Sequence, residues 1–336
     1  MNILYITNDT GVAYLAVSLE SLLINNREEK VLDIYVVDDG ITEKNKTLLC
    51  EEGRRYRREL HFINKPDISV LMGVNVASGK WPDNIFCRLF TPTLFQNNPE
   101  VRRIIYLDTD TVVASSLSKL WKTEMDNYSC AAVLECMSNL HKKAVGLDYT
   151  TPYFNSGMML IDLNKWEEQK IEEKCRKIAR EYVGSIEYPD EGIVNAAIKG
   201  HFKILHPKYN LTTLKAVFSY DELRTYRKSS VMYTKKEYEE AIENPVVIHY
   251  TNSFIVDRPW VCESKYPHIF AGLWVHYKSK SLWKNWEPVK TWKNMNIRRL
   301  IENILHCLPR KIVIYFMGII YCYLKPLKYM KKRSIN

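Results

Sequence analysis

Residues 3–11, Ile3-Leu4-Tyr5-Ile6-Thr7 followed by Asn8-Asp9-Thr10-Gly11, open the chain as an apolar run of strand-forming residues broken by a polar turn. Ala13, Leu15, Ala16, Leu19, Leu22 and Leu23 then fall at the spacing of one buried helix face. A second buried strand is expected from Leu32 to Val37, ended by Asp38-Asp39-Gly40, and a polar helix through Leu48-Leu49 leads to a third, Leu60-His61-Phe62-Ile63-Asn64. This strand–helix–strand–helix–strand rhythm specifies an α/β fold with a parallel sheet covered by helices. Ligands in such sheets bind outside the carboxyl ends of the strands. The chemistry is therefore sought just after each apolar run.

The next strong run, Arg103-Ile104-Ile105-Tyr106-Leu107, ends in Asp108-Thr109-Asp110. Further strands are expected at Cys130–Leu134, Met158–Ile161 and Val246–His249. Between the last two, Asn164 and Glu167 are spaced as a capping box, ahead of an apolar stripe of Ile171, Cys175, Ile178, Ala179 and Tyr182. Residues 210–245 are polar, rich in Tyr, Lys and Glu, and poorly periodic, which reads as a variable insertion.

Composition narrows the function. Of 336 residues, 46% are apolar and 26% charged, enough for a packed core. The 12 glycines never form Gly-x-Gly, so neither a dinucleotide fingerprint nor a phosphate-cradling P-loop is present, and Gly-x-Ser-x-Gly and His-Glu-x-x-His are missing as well. The formal charge of +9 is almost all in residues 296–336, which hold nine Lys and Arg against the single acid Glu302. The body is nearly neutral and the end is a polybasic appendage. A nucleic-acid-binding body is excluded on that distribution. The 8 cysteines form no Cys-x-x-Cys pair and sit largely in apolar runs. Met1-Asn2-Ile3-Leu4-Tyr5 has no basic region ahead of an apolar signal segment, so a reduced, cytoplasmic setting is expected.

Ile312 to Leu324 is thirteen residues without a charge, flanked by Arg310-Lys311 and by Lys325, Lys328, Lys331, Lys332 and Arg333. As a helix it spans roughly 20 Å, short of a hydrocarbon core of roughly 30 Å. A basic amphipathic helix lying on the membrane surface is expected; packing of the same run on the body is the alternative.

Two carboxylates two residues apart, Asp108 and Asp110, on a turn leaving a strand can chelate one hard divalent cation through oxygen, or form a solvated turn. His249, at the end of Val246-Val247-Ile248, is a structural imidazole or a third metal ligand. Arg258-Pro259-Trp260 offers a cation on a stiffened loop, a planar fork suited to diphosphate oxygens. Asp190-Glu191 precede the helical run Ile193–Ala197, where acids also simply complement the helix dipole. Arg88, between Cys87 and Leu89-Phe90, needs an acidic partner if buried. Asn155-Ser156-Gly157, just before a strand, reads as a turn unless its amide faces a ligand.

Taken in order, Ile3–Thr10, Asp38-Asp39-Gly40, Arg88, Tyr106–Asp110, Phe154–Gly157, Tyr188–Glu191, His249-Tyr250 and Arg258-Pro259-Trp260 resemble the retaining glycosyltransferase family 8 over roughly residues 1–280. That family includes bacterial lipopolysaccharide galactosyl- and glucosyltransferases and the glycogenins. Its lipooligosaccharide α-galactosyltransferase type also ends in a basic, membrane-associating tail. The resemblance implies a GT-A, Rossmann-like, mixed but mostly parallel sheet flanked by helices. The catalytic domain would occupy 1–280, with a nucleotide-sugar half of about 1–115 and an acceptor half of about 116–280, followed by a tail at 281–336.

By the same resemblance, Asp108, Asp110 and His249 would hold Mn²⁺ or Mg²⁺. Ile6, Asn8, Asp9 and Thr10 would line the uridine pocket, Thr109 would approach the ribose and Arg258 would contact phosphate. Arg88, Asn155, Asp190 and Glu191 would surround the sugar. The donor would be UDP-galactose or UDP-glucose, and the acceptor a saccharide or glycolipid of the cell surface. The inner membrane surface would be a partner through the tail, making the protein peripheral on its cytoplasmic face. Two departures stand out: the family commonly has Asp-Gln where this chain has Asp190-Glu191, and 249–260 is longer than usual, with Asn252 in place of a Gly. A nucleotide-sugar-binding protein without transferase activity and a self-glucosylating enzyme of the glycogenin kind are the alternative functions.

Overall fold

A computed structural model of the chain describes residues 1–75, 81–182, 186–261, 264–288, 300 and 303–333. Among the described residues the strands are β1 (Asn2–Asn8), β2 (Asp33–Asp39), β3 (Leu60–Asn64), β4 (Arg103–Leu107), β5 (Thr111–Val113), β6 (Cys130–Leu134), β7 (Phe154–Asp162), β8 (Lys203–Leu205), β9 (Leu211–Thr212) and β10 (Val247–His249). Seven of them form one sheet in the order β3-β2-β1-β4-β7-β6-β8, and β5-β10-β9 form a second. In the large sheet β7 runs antiparallel to β4 and β6, and the remaining pairings are parallel. The parallel α/β pairing expected from the opening rhythm is present in β1–β4, and the sheet as a whole is mixed but mostly parallel, as the resemblance implies. Ile3, Leu4, Tyr5 and Ile104, Ile105, Leu107 are buried in its centre, as strands covered on both faces require.

The polar break after β1 is built by its own side chains. Asn8 Oδ1 accepts from the Gly11 N–H (3.1 Å) and from the Thr10 hydroxyl (2.8 Å). A Cβ at Gly11 would stand 2.4 Å from Thr7 Oγ1, so only glycine lets the chain turn so tightly. Helix α1 (Val12–Asn25) follows and packs its apolar stripe on the sheet, with α2 (Glu43–Arg55) beside it.

Three expectations change. Asn155-Ser156-Gly157 lies inside β7, because Asp108 N–H donates to Gly157 O (2.8 Å) and a register shift on β6 lets Phe154 pair with Leu134. Ladder hydrogen bonds thus override a local turn tendency. The capping box at Asn164 does not form: Asp162, at the strand end, accepts from the Lys165 N–H (3.1 Å) and caps a helix at Leu163–Glu168. The chain then turns at Lys170 (φ 54°) into a second helix, Ile171–Glu181. Residues 210–245 are not an irregular insertion. They hold β9 and helices Thr213–Val217, Tyr220–Arg227 and Lys235–Glu243, the last two each closed by a capping box, Ser219/Glu222 and Thr234/Glu237. Helices this short show too few turns for periodicity to be read.

The C-terminal segment is a helix, Arg310–Ile319, a π-helical turn, Ile320–Leu324, and a further helix, Lys325–Arg333. The stretch Arg310–Lys331 reaches 22 residues and passes the length and composition of a membrane span, which the thirteen uncharged residues alone do not. It is amphipathic, and it also packs on the body. Val313, Ile314, Gly318, Tyr321 and Cys322 are buried, whereas Tyr315, Phe316, Tyr323, Leu324 and Leu327 are exposed. Arg298, Arg299 and Glu302 of the expected tail lie outside the described residues. The described cysteines are free thiols.

Glu20 on α1 and Glu52 on α2 are fully buried. Tyr56 donates to Glu20 (2.6 Å) and Leu282 N–H to Glu52 (3.1 Å), leaving one oxygen of each without a hydrogen-bond partner. Burial, opposed by the Leu282 N–H and reinforced by the Glu20 charge, raises the Glu52 carboxyl from 4.5 to about 8. The folded state therefore keeps a proton that the unfolded chain releases, so stability is lost as pH rises from 4.5 to 8. Glu52→Gln removes that loss. In thermal melts the variant is expected to unfold a few degrees above wild type at pH 8, at roughly 2–4 °C per kcal/mol, with the gap closing at pH 4.5.

Candidate active site

β4 carries Asp108 to the carboxyl edge of the sheet, and the chain re-enters as β5 immediately after Asp110. β10 pairs antiparallel with β5, His249 opposite Thr111, and that pairing brings the imidazole to the acidic turn. His249 Nε2 lies 3.0 Å from Asp110 Oδ1 and 3.6 Å from Asp108 Oδ2. One ligand atom from each of the three falls within 4.8 Å of the others. Gly157, on the facing strand, makes the room: a Cβ there would stand 2.2 Å from His249 Cε1 and 2.7 Å from Asp108 Oδ2.

The imidazole is fixed from behind. Asn210 Oδ1 faces His249 Nδ1 at 3.0 Å, while Asn210 Nδ2 donates to Asn155 Oδ1 (2.8 Å) and Asn155 Nδ2 to Glu191 Oε2 (2.8 Å). With the Asn210 amide oriented by this network, Nδ1 donates to Asn210 Oδ1 and Nε2 is turned to the carboxylates. An outer partner of this kind sets ring orientation and basicity in metal-binding histidines. Burial pushes the Asp110 carboxyl up, but His249 and Arg258 outweigh it and hold it at about 2. Two carboxylates and an oriented imidazole suit a divalent cation of the Mn²⁺ or Mg²⁺ type.

Arg88 meets the requirement its sequence context set. Buried in the Asp83–Leu89 segment, it pairs with Asp108 (2.9 Å) and Asp190 (3.3 Å), and its guanidinium lies 4.6 Å from the Tyr106 ring centre. Tyr106 donates to the same Asp108 oxygen, and Ser156 donates to Asp190 (3.0 Å). Asp190 and Glu191 do stand in the first turn of a helix, Pro189–Ile198, yet their side chains join this network and are not left to solvent. Burial raises the Asp190 carboxyl against the pull of Arg88. Burial, with Glu135 and Asp190 adding to it, raises Glu191 to about 8, so near neutral pH it carries its proton.

These groups open into a cleft of about 840 Å³ that Ile6, Asn8, Thr10, Thr109 and Arg258 also line. Arg258 pairs with the second Asp110 oxygen (3.2 Å) and lies 5.2 Å from the Trp260 ring centre. Asp9 differs from expectation and is not among the lining residues. Its carboxylate accepts from the Thr42 N–H (2.8 Å), the Thr42 hydroxyl (2.9 Å) and Asn45 (2.8 Å), tying the turn after β1 to the start of α2.

Several lining or supporting residues escape sequence reading. Glu135 directly follows β6, and its position just beyond an apolar run is the signal that would have found it. Asn210 and Arg227 lie in the segment read as an insertion, and Tyr321 in the tail. Glu135 is buried between Arg227 (2.8 Å) and Lys215 (3.2 Å).

The sequence model of glycosyl transferase family 8 matches residues 2–261. The chain belongs to this family. Among similar members, General stress protein A of Bacillus subtilis (strain 168) is 28% identical over 285 residues, covering 84% of this chain and 94% of that protein. A lipopolysaccharide 1,2-glucosyltransferase of Escherichia coli is 27% identical over 308 residues, covering 89% and 81%. Among solved structures, the galactosyltransferase LgtC in complex with donor and acceptor sugar analogues superposes with a TM-score of 0.69 at 21% identity, covering 89% of this chain and 100% of LgtC. At that identity the likeness shows the fold, the GT-A arrangement expected. Family 8 membership makes the chain a glycosyltransferase, and enzymes of its fold class use a divalent metal and a nucleotide sugar.

Asn210→Ala is expected to leave the three metal-site side chains in place chemically but free the imidazole. Outer-shell changes of this type cost roughly 10–100-fold in metal affinity. A divalent-cation titration of nucleotide-sugar turnover is expected to show half-activation shifted upward by that factor.

Proposed function

We propose that the protein is a metal-dependent, retaining hexosyltransferase that moves galactose or glucose from a UDP-sugar to a saccharide acceptor in cell-surface glycan synthesis. The convergence of Asp108, Asp110 and His249 beside the Arg88–Asp190 pair, in one cleft, carries this reading. Lipopolysaccharide, capsule and glycolipid acceptors all fit it, and the named activity of the Escherichia coli relative supports a bacterial glycan. Residues 1–280 would be the catalytic unit and 281–336 the tail.

Asp108, Asp110 and His249 would hold Mn²⁺ or Mg²⁺, which when bound supplies Lewis-acid stabilisation of the departing diphosphate. Arg258 stands beside Asp110, where its fork would meet phosphate oxygens as negative charge grows on UDP. Ile6, Asn8 and Thr10 would receive the uridine and Thr109 the ribose, with Asp9 acting through the anchored loop. Arg88, Asn155 and Asp190 would surround the sugar. Asp190, paired with Arg88, would support the oxocarbenium-like centre.

Retention needs either attack by the acceptor hydroxyl on the face that UDP leaves, or a covalent intermediate. Glu191 is buried, accepts from Asn155 and holds its proton near neutral pH, which makes it a poor nucleophile. Same-face attack is therefore the mechanism proposed. The tail's exposed Tyr315, Phe316, Tyr323 and Leu324, with lysines around them, would rest on the cytoplasmic face of an anionic membrane. Each basic residue there contributes about 1 kcal/mol.

UDP release measured with UDP-galactose and UDP-glucose, with and without Mn²⁺ and with mixed saccharide acceptors, tests the activity. Asp110→Asn is expected to abolish metal-stimulated turnover while the melting profile stays cooperative; retained Mn²⁺-dependent turnover would refute the metal site. Glu191→Gln is expected to keep turnover within about an order of magnitude, since the carboxyl is already neutral. Total loss, with a glycosyl adduct detected by intact mass, would instead establish double displacement.

A further inference from the structure

The cleft has a wall that donor binding, as proposed above, does not use. Its far side is lined by Tyr226 and Arg227 from the Tyr220–Arg227 helix and by Met317, Ile320, Tyr321 and Lys325 from the C-terminal segment. The tail thus reaches the site as well as the surface.

Its docking there is specific. Gly318 lets the two helices close up, since a Cβ would stand 3.0 Å from Thr225 O and 3.1 Å from Tyr226 O. Tyr321 is 2% exposed and stacks between His141 (4.5 Å) and Tyr226 (5.2 Å), its hydroxyl on Met137 Sδ (3.1 Å). Lys325 pairs with Glu187 (3.3 Å), which holds His141 from the other side (2.8 Å). The Arg227 guanidinium lies 4.3 Å from the Tyr321 ring centre, a cation–π contact that strengthens when dry.

Arg227 itself is nine-tenths buried, with Nη2 on Glu135 (2.8 Å) and Nε without a hydrogen-bond partner. An unpartnered buried N–H is costly unless something arrives to accept from it. Glu135 is already shared by Arg227 and Lys215, and a saccharide hydroxyl oxygen can accept from the guanidinium without displacing that carboxylate.

We propose that the C-terminal helix completes the acceptor site, with Arg227 binding a hydroxyl of the acceptor saccharide and Tyr321 positioning Arg227. The proposal rests on the glycosyl-transfer reading of the cleft and deepens it. The residue that orients the acceptor is then held by the same helix whose outer face is apolar and basic, so acceptor binding depends on the tail being docked.

The test uses the full chain, Mn²⁺, UDP-galactose and UDP-glucose as donors, and octyl galactoside and octyl glucoside as acceptor probes. Tyr321→Leu is expected to raise the acceptor KM about 10-fold while the donor KM moves less than about 2-fold. Tyr321→Phe keeps the ring and is expected to restore the acceptor KM, a rescue that simple loss of packing would not single out. Arg227→Lys, which keeps the charge but not the planar fork, is expected to raise the acceptor KM in the same way. An acceptor KM unmoved by Tyr321→Leu, or donor and acceptor KM rising together, would overturn the proposal. Absence of UDP release by wild type from either donor would instead count against the hexosyltransferase reading itself.

Discussion

Like charge held at one strand tip is the constraint around which this molecule is arranged. Asp108 and Asp110 leave β4 together, and Asp190 stands close enough for Arg88 to bridge it to Asp108. Clustered carboxylates drawn out of solvent need partners, and Arg88 from one part of the chain and His249 and Arg258 from another converge on them. Removing one partner from a buried ion pair costs about 3–5 kcal/mol. The arrangement leaves oxygen and imidazole ligand atoms close together.

Two features of topology serve that cluster. A sheet of parallel strands alone would send its neighbour of β4 into the edge from the same direction. The reversed β7 instead starts there, so Asn155, Ser156 and Gly157 lie at the cleft and Gly157 O receives the Asp108 N–H. The small β5-β10-β9 sheet does the rest by carrying His249 to Asp110 and Asn210 behind it. A line of amides then runs from His249 through Asn210 and Asn155 to Glu191, joining the candidate metal site to that buried carboxyl without placing another charge between them.

The tail shows one helix used on both faces. Its inner stripe packs on the Tyr220–Arg227 helix through Gly318 and Tyr321, and its outer stripe keeps aromatic and aliphatic side chains in solvent between lysines. The π-helical turn at Ile320–Leu324 supplies two of the residues that reach the cleft, Ile320 and Tyr321. Such irregularities recur at functional sites because they re-aim side chains along an otherwise regular helix.

What the residues alone determined is what depends on neighbours in sequence. The strands of the opening third, the acidic turn after Leu107, His249 at a strand end, and the need of Arg88 for a carboxylate are all local consequences of apolar patterning and the cost of buried charge. Tertiary structure decided what depends on distant partners. Asn210 meets His249 and Asn155 across 39 and 55 positions, and Tyr321 meets Met137 across 184. The drawing of Asn155–Gly157 into β7, the turning of the Asp9 carboxylate onto Thr42 and Asn45, and the burial of Arg227 against Glu135 follow from the same cause. Amides, glycines and single charges carry no periodicity, so their direction is set only when the chain has closed around them.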